Sequence, residues 1–247
     1  MHHKYQQFII LSTYRSGSVW LLSLLNSHPM VRGFGECFHP AYFNRFPHVT
    51  AAQPWFLAHV RDCFPLLFLR HHVYAAYPSN IHAVGFKLMY TQAIRWRSGK
   101  IWEWLRVHHE VKIIHLKRNN LLASYVSTIL TLKTNVIMAT NPADIHKIKI
   151  TINPQECLKY FLIVSTHRKY YDKFFKQSDV LDIIYEDVVA DKEKQLARTL
   201  NFLKLPLVPL TSPLIKLNTT PLPQLIKNYA ELRRFFHKSE WSNFFLQ

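Results

Sequence analysis

Two short turns and one isolated carboxylate hold the residues best suited to chemistry. The stretch Leu11 to Leu21 reads LSTYRSGSVWL. Gly17 permits a tight backbone turn, and the N–H groups after it open an apolar helical stretch. Several donors and the positive end of a helix dipole therefore aim at one point, which suits phosphate or sulfate. Arg15 adds a fork of charged donors, and Ser16 and Ser18 add hydroxyls. The second turn, Leu116 to Ser127, reads LKRNNLLASYVS. It carries Arg118 where an apolar run ends, Asn119 or Asn120 as a helix cap, and Ser124 and Ser127 on the helix that follows. An arginine at a strand tip and a serine on the neighbouring helix can hold one phosphate from two sides. Glu36 is one of only two carboxylates in residues 1–100, the other being Asp62. An acid kept in so cationic a background is a candidate for chemistry.

Such turns act together only if a scaffold brings their strand exits side by side. Phe8 to Thr13, Ala83 to Leu88, Val111 to Leu116 and Val180 to Tyr185 are short apolar runs that predict strands, and a further strand is expected just before Glu36. Helical patterns follow them at Val19 to Leu25, Thr91 to Arg97, Leu121 to Leu132 and Val188 to Leu203. Unbroken apolar strands alternating with helices predict an α/β fold of three layers, a parallel sheet flanked by helices. Ala51 to Tyr77, rich in aromatics and histidine, predicts a helical insertion at about residues 50–80. Phe161 to Phe175 and Leu225 to Phe236 predict further helices. Ligands of open α/β sheets bind at the carboxyl ends of strands, where both turns lie. With no repeat and no low-complexity stretch, residues 1–247 are expected to form one domain.

The formal net charge of +16 calls for a polyanionic partner, repulsion-driven solubility, or both. Its lysines and arginines are spread along the chain without a nucleic-acid motif, which argues against specific nucleic-acid binding. The triphosphate loop GxxxxGK[ST] is missing: no glycine stands five residues before Gly17 and no lysine follows it, so the counter-charge of a kinase or ATPase is lacking. Neither a carboxylate cluster for magnesium nor a zinc spacing is present, and His28, His39 and His82 read as structural or surface residues before ligands. Cys37, Cys63 and Cys157 are widely separated and cannot all pair. With no apolar run near a membrane-span length and no signal-peptide pattern, they point to the cytoplasm.

The first turn resembles the 5′-phosphosulfate loop of sulfotransferases that use 3′-phosphoadenosine 5′-phosphosulfate (PAPS), whose common forms are PKSGTTW and RSGSTWL. Arg15, Ser16, Gly17, Ser18, Trp20 and Leu21 fall on that pattern. Val19 departs from it, since the family usually has threonine there. The second turn resembles the 3′-phosphate site of bacterial and carbohydrate-acting members, of the form RxNLLxxxVS, with Arg118 and Ser127 in place and Ser124 as the alternative serine. GFKLMYTQ (Gly85 to Gln92), IYEDVVAD (Ile184 to Asp191), Lys216 and LIKNYAEL (Leu225 to Leu232) resemble further family segments in order. The resemblance implies a P-loop-like sulfotransferase fold and metal-free in-line transfer of a sulfuryl group from PAPS, with adenosine 3′,5′-bisphosphate as product. The acceptor is an unidentified small-molecule or glycan hydroxyl, a carbohydrate or glycolipid being favoured. Arg15, Ser16, Gly17 and Ser18 would cradle the phosphosulfate, and Trp20 would stack near the adenine. Lys216 would belong to a covering region at about residues 206–247. Some members place a catalytic glutamate in a comparable Gly-Glu segment, which makes Glu36 the expected base and His39 the next candidate. The YED and NYAEL residues are expected to stabilise the fold.

Overall fold

A computed structural model describes residues 4–40, 54–94, 99–145 and 148–246. Five parallel strands, β1 (Gln6–Ser12), β2 (Val31–Phe34), β3 (Ala83–Met89), β4 (Lys112–Lys117) and β5 (Val180–Ile184), form one sheet in the order β2-β3-β1-β4-β5. Phe8 of the central strand is in register with Gly85 on one side and Lys112 on the other. The expected α/β class and parallel sheet are thus present.

Both faces of the sheet are covered, which is why its strands read as unbroken apolar runs. On one face Ile9, Leu11, Phe86, Leu88 and Ile113 pack against Phe68, Leu69, Ile101, Leu105 and Tyr171. On the other, Phe8, Ile10, Ile114, Leu116 and Ile183 pack against Leu21, Leu24, Leu25, Leu196 and Leu200. Helix α1 (Ser18–Asn26), which leaves β1, covers the second face, whereas the chain leaving β4 returns through Tyr171 and Phe175 on the first. The exits of the adjacent strands β1 and β4 therefore diverge to opposite faces. That divergence opens the kind of crevice in which open α/β sheets bind ligands.

Between β2 and β3, α2 (Pro54–Cys63), α3 (Pro65–Phe68) and a π-turn over Leu69–Val73 form the expected helical insertion, as far as it lies within the described residues. The expected helix Thr91 to Arg97 is not formed at its start: residues 91–93 are turn and bend, 94 is irregular, and 95–98 lie outside the described residues. Gln92 instead turns its side chain back to accept from the Met89 N–H at 3.2 Å. Helix α4 (Lys100–Val107) follows, then α5 (Leu121–Thr134) and α6 (Pro154–Phe174). The single helix expected over Val188 to Leu203 is two, α7 (Tyr185–Ala190) and α8 (Lys192–Phe202). Asp191 separates them because its side chain caps the second by accepting from the Lys194 N–H at 3.1 Å. The pattern over Leu225 to Phe236 likewise divides into α9 (Leu222–Leu225) and α10 (Tyr229–Phe235). Between them Asn228 bonds both the N–H and the C=O of Ile152, at 3.0 and 2.8 Å. A third apolar cluster joins α5, α6, α9 and α10 through Leu122, Val126, Phe161, Leu225, Leu232 and Phe236.

Candidate active site at the exits of β1 and β4

The loop from Thr13 to Gly17 turns through two left-handed residues, Arg15 at φ 59° and Gly17 at φ 90°. A Cβ on Gly17 would stand 2.4 Å from the Tyr185 ring, so glycine is required both by conformation and by space. Ser16 is buried and donates its hydroxyl to the Thr13 carbonyl at 2.9 Å, which fixes the loop from within. The first intrahelical bond of α1 runs from the Leu21 N–H to Gly17 O at 3.0 Å. The N–H groups of Ser18, Val19 and Trp20 therefore face out of the helix start, where the dipole favours an anion. A left-handed backbone costs an L-residue about 1–2 kcal/mol, and a chain of this size loses about 2–4 °C of melting temperature per kcal/mol. Gly17→Ala should therefore melt several degrees lower by calorimetry, while an unchanged melting temperature would show that the loop relaxes without strain.

Three guanidinium groups surround this loop. Arg118, just past β4, donates from Nη1 to the Arg15 carbonyl at 3.1 Å and lies over the Tyr185 ring, 4.7 Å from its centroid. Arg168 of α6 donates from Nη2 to the Arg118 carbonyl. The Arg15 side chain reaches α5, donating from Nε to Ser127 Oγ at 3.0 Å and from Nη1 to the Ile137 carbonyl at 2.8 Å. Burial and the neighbouring Arg118 charge both push the Arg15 pKa down. Among the described residues none of the three arginines forms an ion pair, and the Nε atoms of Arg118 and Arg168 are buried without a hydrogen-bond partner. Gathered positive charge with donors left over is costly by itself and favours an anion.

The structure brings Arg15 and Ser127 into contact, though the sequence reading sets them at opposite phosphates. Ser124 is wholly buried and shares a hydrogen bond of 2.8 Å with the Tyr160 hydroxyl, whereas Ser127 lines a cleft of about 300 Å³ together with exposed Lys216. The hydroxyl of Thr131 is buried without a partner in the wall of the same cleft. Trp20 meets Tyr185 edge-on, with ring centroids 6.2 Å apart.

Glu36 follows β2, on the other side of β1 from Arg118. One carboxylate oxygen accepts from Lys87 Nζ at 3.1 Å and the other from Gln92 Nε2 at 2.8 Å. Gln92 Nε2 also lies 3.3 Å from the hydroxyl of Tyr14, the residue before Arg15, so Glu36 is tied to the loop. His39 is near in sequence, and its backbone N–H donates to the Glu36 carbonyl at 2.8 Å. His28, read as structural, bonds the Pro206 carbonyl and the Met30 N–H, both at 3.1 Å.

Sequence reasoning gave no role to Arg168 or to the Tyr185 ring. Arg168 sits in mid-helix with no motif around it, while Tyr185 stands in the recognised IYEDV segment and could have been found there. Glu186 of that segment accepts the N–H groups of Asn119 and Asn120 at 2.9 and 3.0 Å, and so holds the β4 turn in place. Asn228 performs the corresponding structural task in the NYAEL segment.

Residues 7–209 match the family model described as "Sulfotransferase family". The chain is 27% identical to Nodulation protein H of Rhizobium tropici over 97% of its own length and 93% of that protein. It is 26% identical to Nodulation protein H of Rhizobium meliloti (strain 1021) over 97% and 95%. A sulfotransferase from Alicyclobacillus acidocaldarius superposes with a TM-score of 0.53 at 14% identity, covering 95% of this chain and 92% of that one. The sulfotransferase domain from the curacin biosynthetic pathway superposes with a TM-score of 0.54 at 16% identity, covering 84% and 76%.

Proposed function

The chain belongs to the sulfotransferase family, and from that premise we propose that it transfers a sulfuryl group from PAPS to a hydroxyl of a carbohydrate or glycolipid acceptor. The observation that carries the donor assignment is the unpaired set of Arg15, Arg118 and Arg168 around the α1 start, with Arg118 Nε buried and unbonded. A donor with two separate anionic ends suits this set better than a triphosphate, whose usual loop lysine is missing.

When bound, PAPS supplies the sulfuryl group and a bisphosphate leaving group. Gly17, Ser18 and the N–H groups of Val19 and Trp20 would bind the 5′ end, with Ser16 fixing the loop from within and Arg15 tying it to α5. Arg118, supported by Arg168, would bind the 3′-phosphate, with Ser127 as the serine partner, because Ser127 lines the cleft while Ser124 is wholly buried. Trp20 and Tyr185 would flank the base, and Lys216, in a covering region of about residues 206–247, would close the Ser127 side. Glu36 accepts the proton of the acceptor hydroxyl as its oxygen forms the new S–O bond and the bond to the leaving phosphate breaks. His39 is the second candidate for that proton. We read residues 1–247 as one catalytic domain. The wide separation of Cys37, Cys63 and Cys157 along the chain suits a reducing compartment and supports a cytoplasmic location. Among the described residues no helix is long and apolar enough to cross a membrane.

An acceptor screen with radiolabelled PAPS tests the reading. The panel comprises glucose, galactose and N-acetylglucosamine oligosaccharides, a short-chain glycolipid, and p-nitrophenol as the phenolic control. Label should enter a carbohydrate or glycolipid in step with bisphosphate release. Transfer to p-nitrophenol alone would overturn the acceptor class, and no transfer from PAPS to any member would overturn the donor.

Metal independence is also expected, because arginine and backbone donors can stabilise the charge that develops in sulfuryl transfer. The only metal-compatible group of three among the described residues is His115, Asp172 and Asp182. Lys117 Nζ already holds both of its carboxylates, at 2.7 and 2.8 Å. Burial and the Lys117 charge lower the His115 pKa to about 3, so it stays neutral there. Turnover should survive chelator nearly unchanged; a strict magnesium requirement, restored on adding the ion back, would contradict this.

A further inference from the structure

Lys87 and Gln92 have been given no part in the reaction so far, although both are almost fully buried and both point at the same carboxylate. Lys87 lies on β3, with Phe86 and Leu88 directed into the opposite face. Its side chain is only 3% exposed and pairs with a Glu36 side chain that is 20% exposed. Burial pushes the lysine pKa down, and the Glu36 carboxylate pushes it back up. A buried ion pair of this kind contributes little net stability compared with well-packed apolar side chains. The one side-chain hydrogen bond shown for Lys87 Nζ goes to Glu36, so any effect of the lysine on the site runs through that carboxylate first. Gln92 completes the arrangement. Its carbonyl oxygen is fixed by the Met89 N–H, and its amide nitrogen reaches both Glu36 Oε2 and the Tyr14 hydroxyl. Each carboxylate oxygen has more than one lone pair, so accepting one bond apiece leaves both able to accept an acceptor hydroxyl. The rotation of the carboxylate, by contrast, is fixed.

We propose that Lys87 and Gln92 are positioning residues that clamp the two oxygens of the Glu36 carboxylate, one from β3 and one from the turn after it, so that the base is aimed at the acceptor and registered to the Tyr14–Gly17 loop. This inference rests on the reading of Glu36 as the base. It assigns both residues an action through Glu36 and not on the sulfuryl donor.

A double-mutant cycle tests it, with kcat per folded molecule measured at saturating PAPS on the panel oligosaccharide that gives the highest rate, and with bisphosphate affinity measured by calorimetry. Lys87→Met removes the β3 half of the clamp and leaves no buried cation. It is expected to lower kcat roughly ten- to a hundredfold, the scale of a misplaced reacting group, with bisphosphate affinity unchanged. In the Glu36→Gln background the same substitution should change kcat by no more than about twofold, because a residue acting through Glu36 has nothing left to position. Multiplicative losses in the double variant, or weakened bisphosphate binding in Lys87→Met, would overturn the proposal and assign Lys87 to the donor. If Lys87→Met does not fold, Gln92→Leu takes its place in the cycle with the same two opposed outcomes. Full turnover in Glu36→Gln alone would instead sink the reading of the base, a result the cycle reports separately.

Discussion

Replacing Glu36 with glutamine is expected to cut turnover by about a hundred- to ten-thousandfold, the usual scale of general-base assistance. Glutamine is nearly isosteric and its carbonyl still accepts from Lys87, but it cannot take a proton. Bisphosphate affinity should barely change, because Glu36 stands across β1 from Arg118. Some stability should be lost as well, since Lys87 is buried and keeps its charge while losing a charged partner. For that reason the decisive quantity is kcat per folded molecule. A purely structural ion pair would lower the melting temperature and leave that quantity intact, and the base would then be sought at His39.

The second large effect is expected at Arg118. A charge-assisted hydrogen bond contributes about 1.5–3 kcal/mol, so Arg118→Ala should weaken adenosine 3′,5′-bisphosphate about ten- to a hundredfold. Adenosine 5′-phosphate, lacking the 3′-phosphate, should lose far less. Because Arg118 also bonds the Arg15 carbonyl and covers Tyr185, part of its loss could reach both ligands through the loop. The difference between the two ligands, measured by calorimetry, isolates the 3′-phosphate contact. Equal weakening of both would contradict the assignment.

The sheet was readable because its strands are buried on both faces, so that FIIL reads as a continuous apolar run, and KIIHL as one interrupted only by His115, each bounded by turns. The two strand exits were readable for a related reason: glycine, serine and arginine follow apolar residues abruptly there. What the sequence could not reveal depends on contacts between distant segments. Lys87 and Glu36 are 51 residues apart, and only the adjacency of β2 and β3 brings them together. Arg168 reaches Arg118 from the middle of a helix whose period carries no sign of a ligand. The break at Asp191 did carry a local signal, an aspartate three residues before a lysine N–H it caps, but the apolar period runs through it. Thr91 to Ile94 misled in the opposite direction, since Gln92 spends its side chain on the Met89 N–H and on Glu36.

The most direct test of the central claim is a thermal-shift comparison of the wild-type chain with adenosine 3′,5′-bisphosphate, ATP and a single-stranded oligonucleotide at equal concentrations and without metal. A ligand that binds only the folded state raises the melting temperature by mass action, in proportion to the logarithm of its concentration over its Kd. The arginines around the α1 start predict a strong shift with the bisphosphate and little with the other two. A shift with ATP or the oligonucleotide that equals or exceeds that of the bisphosphate would contradict the account.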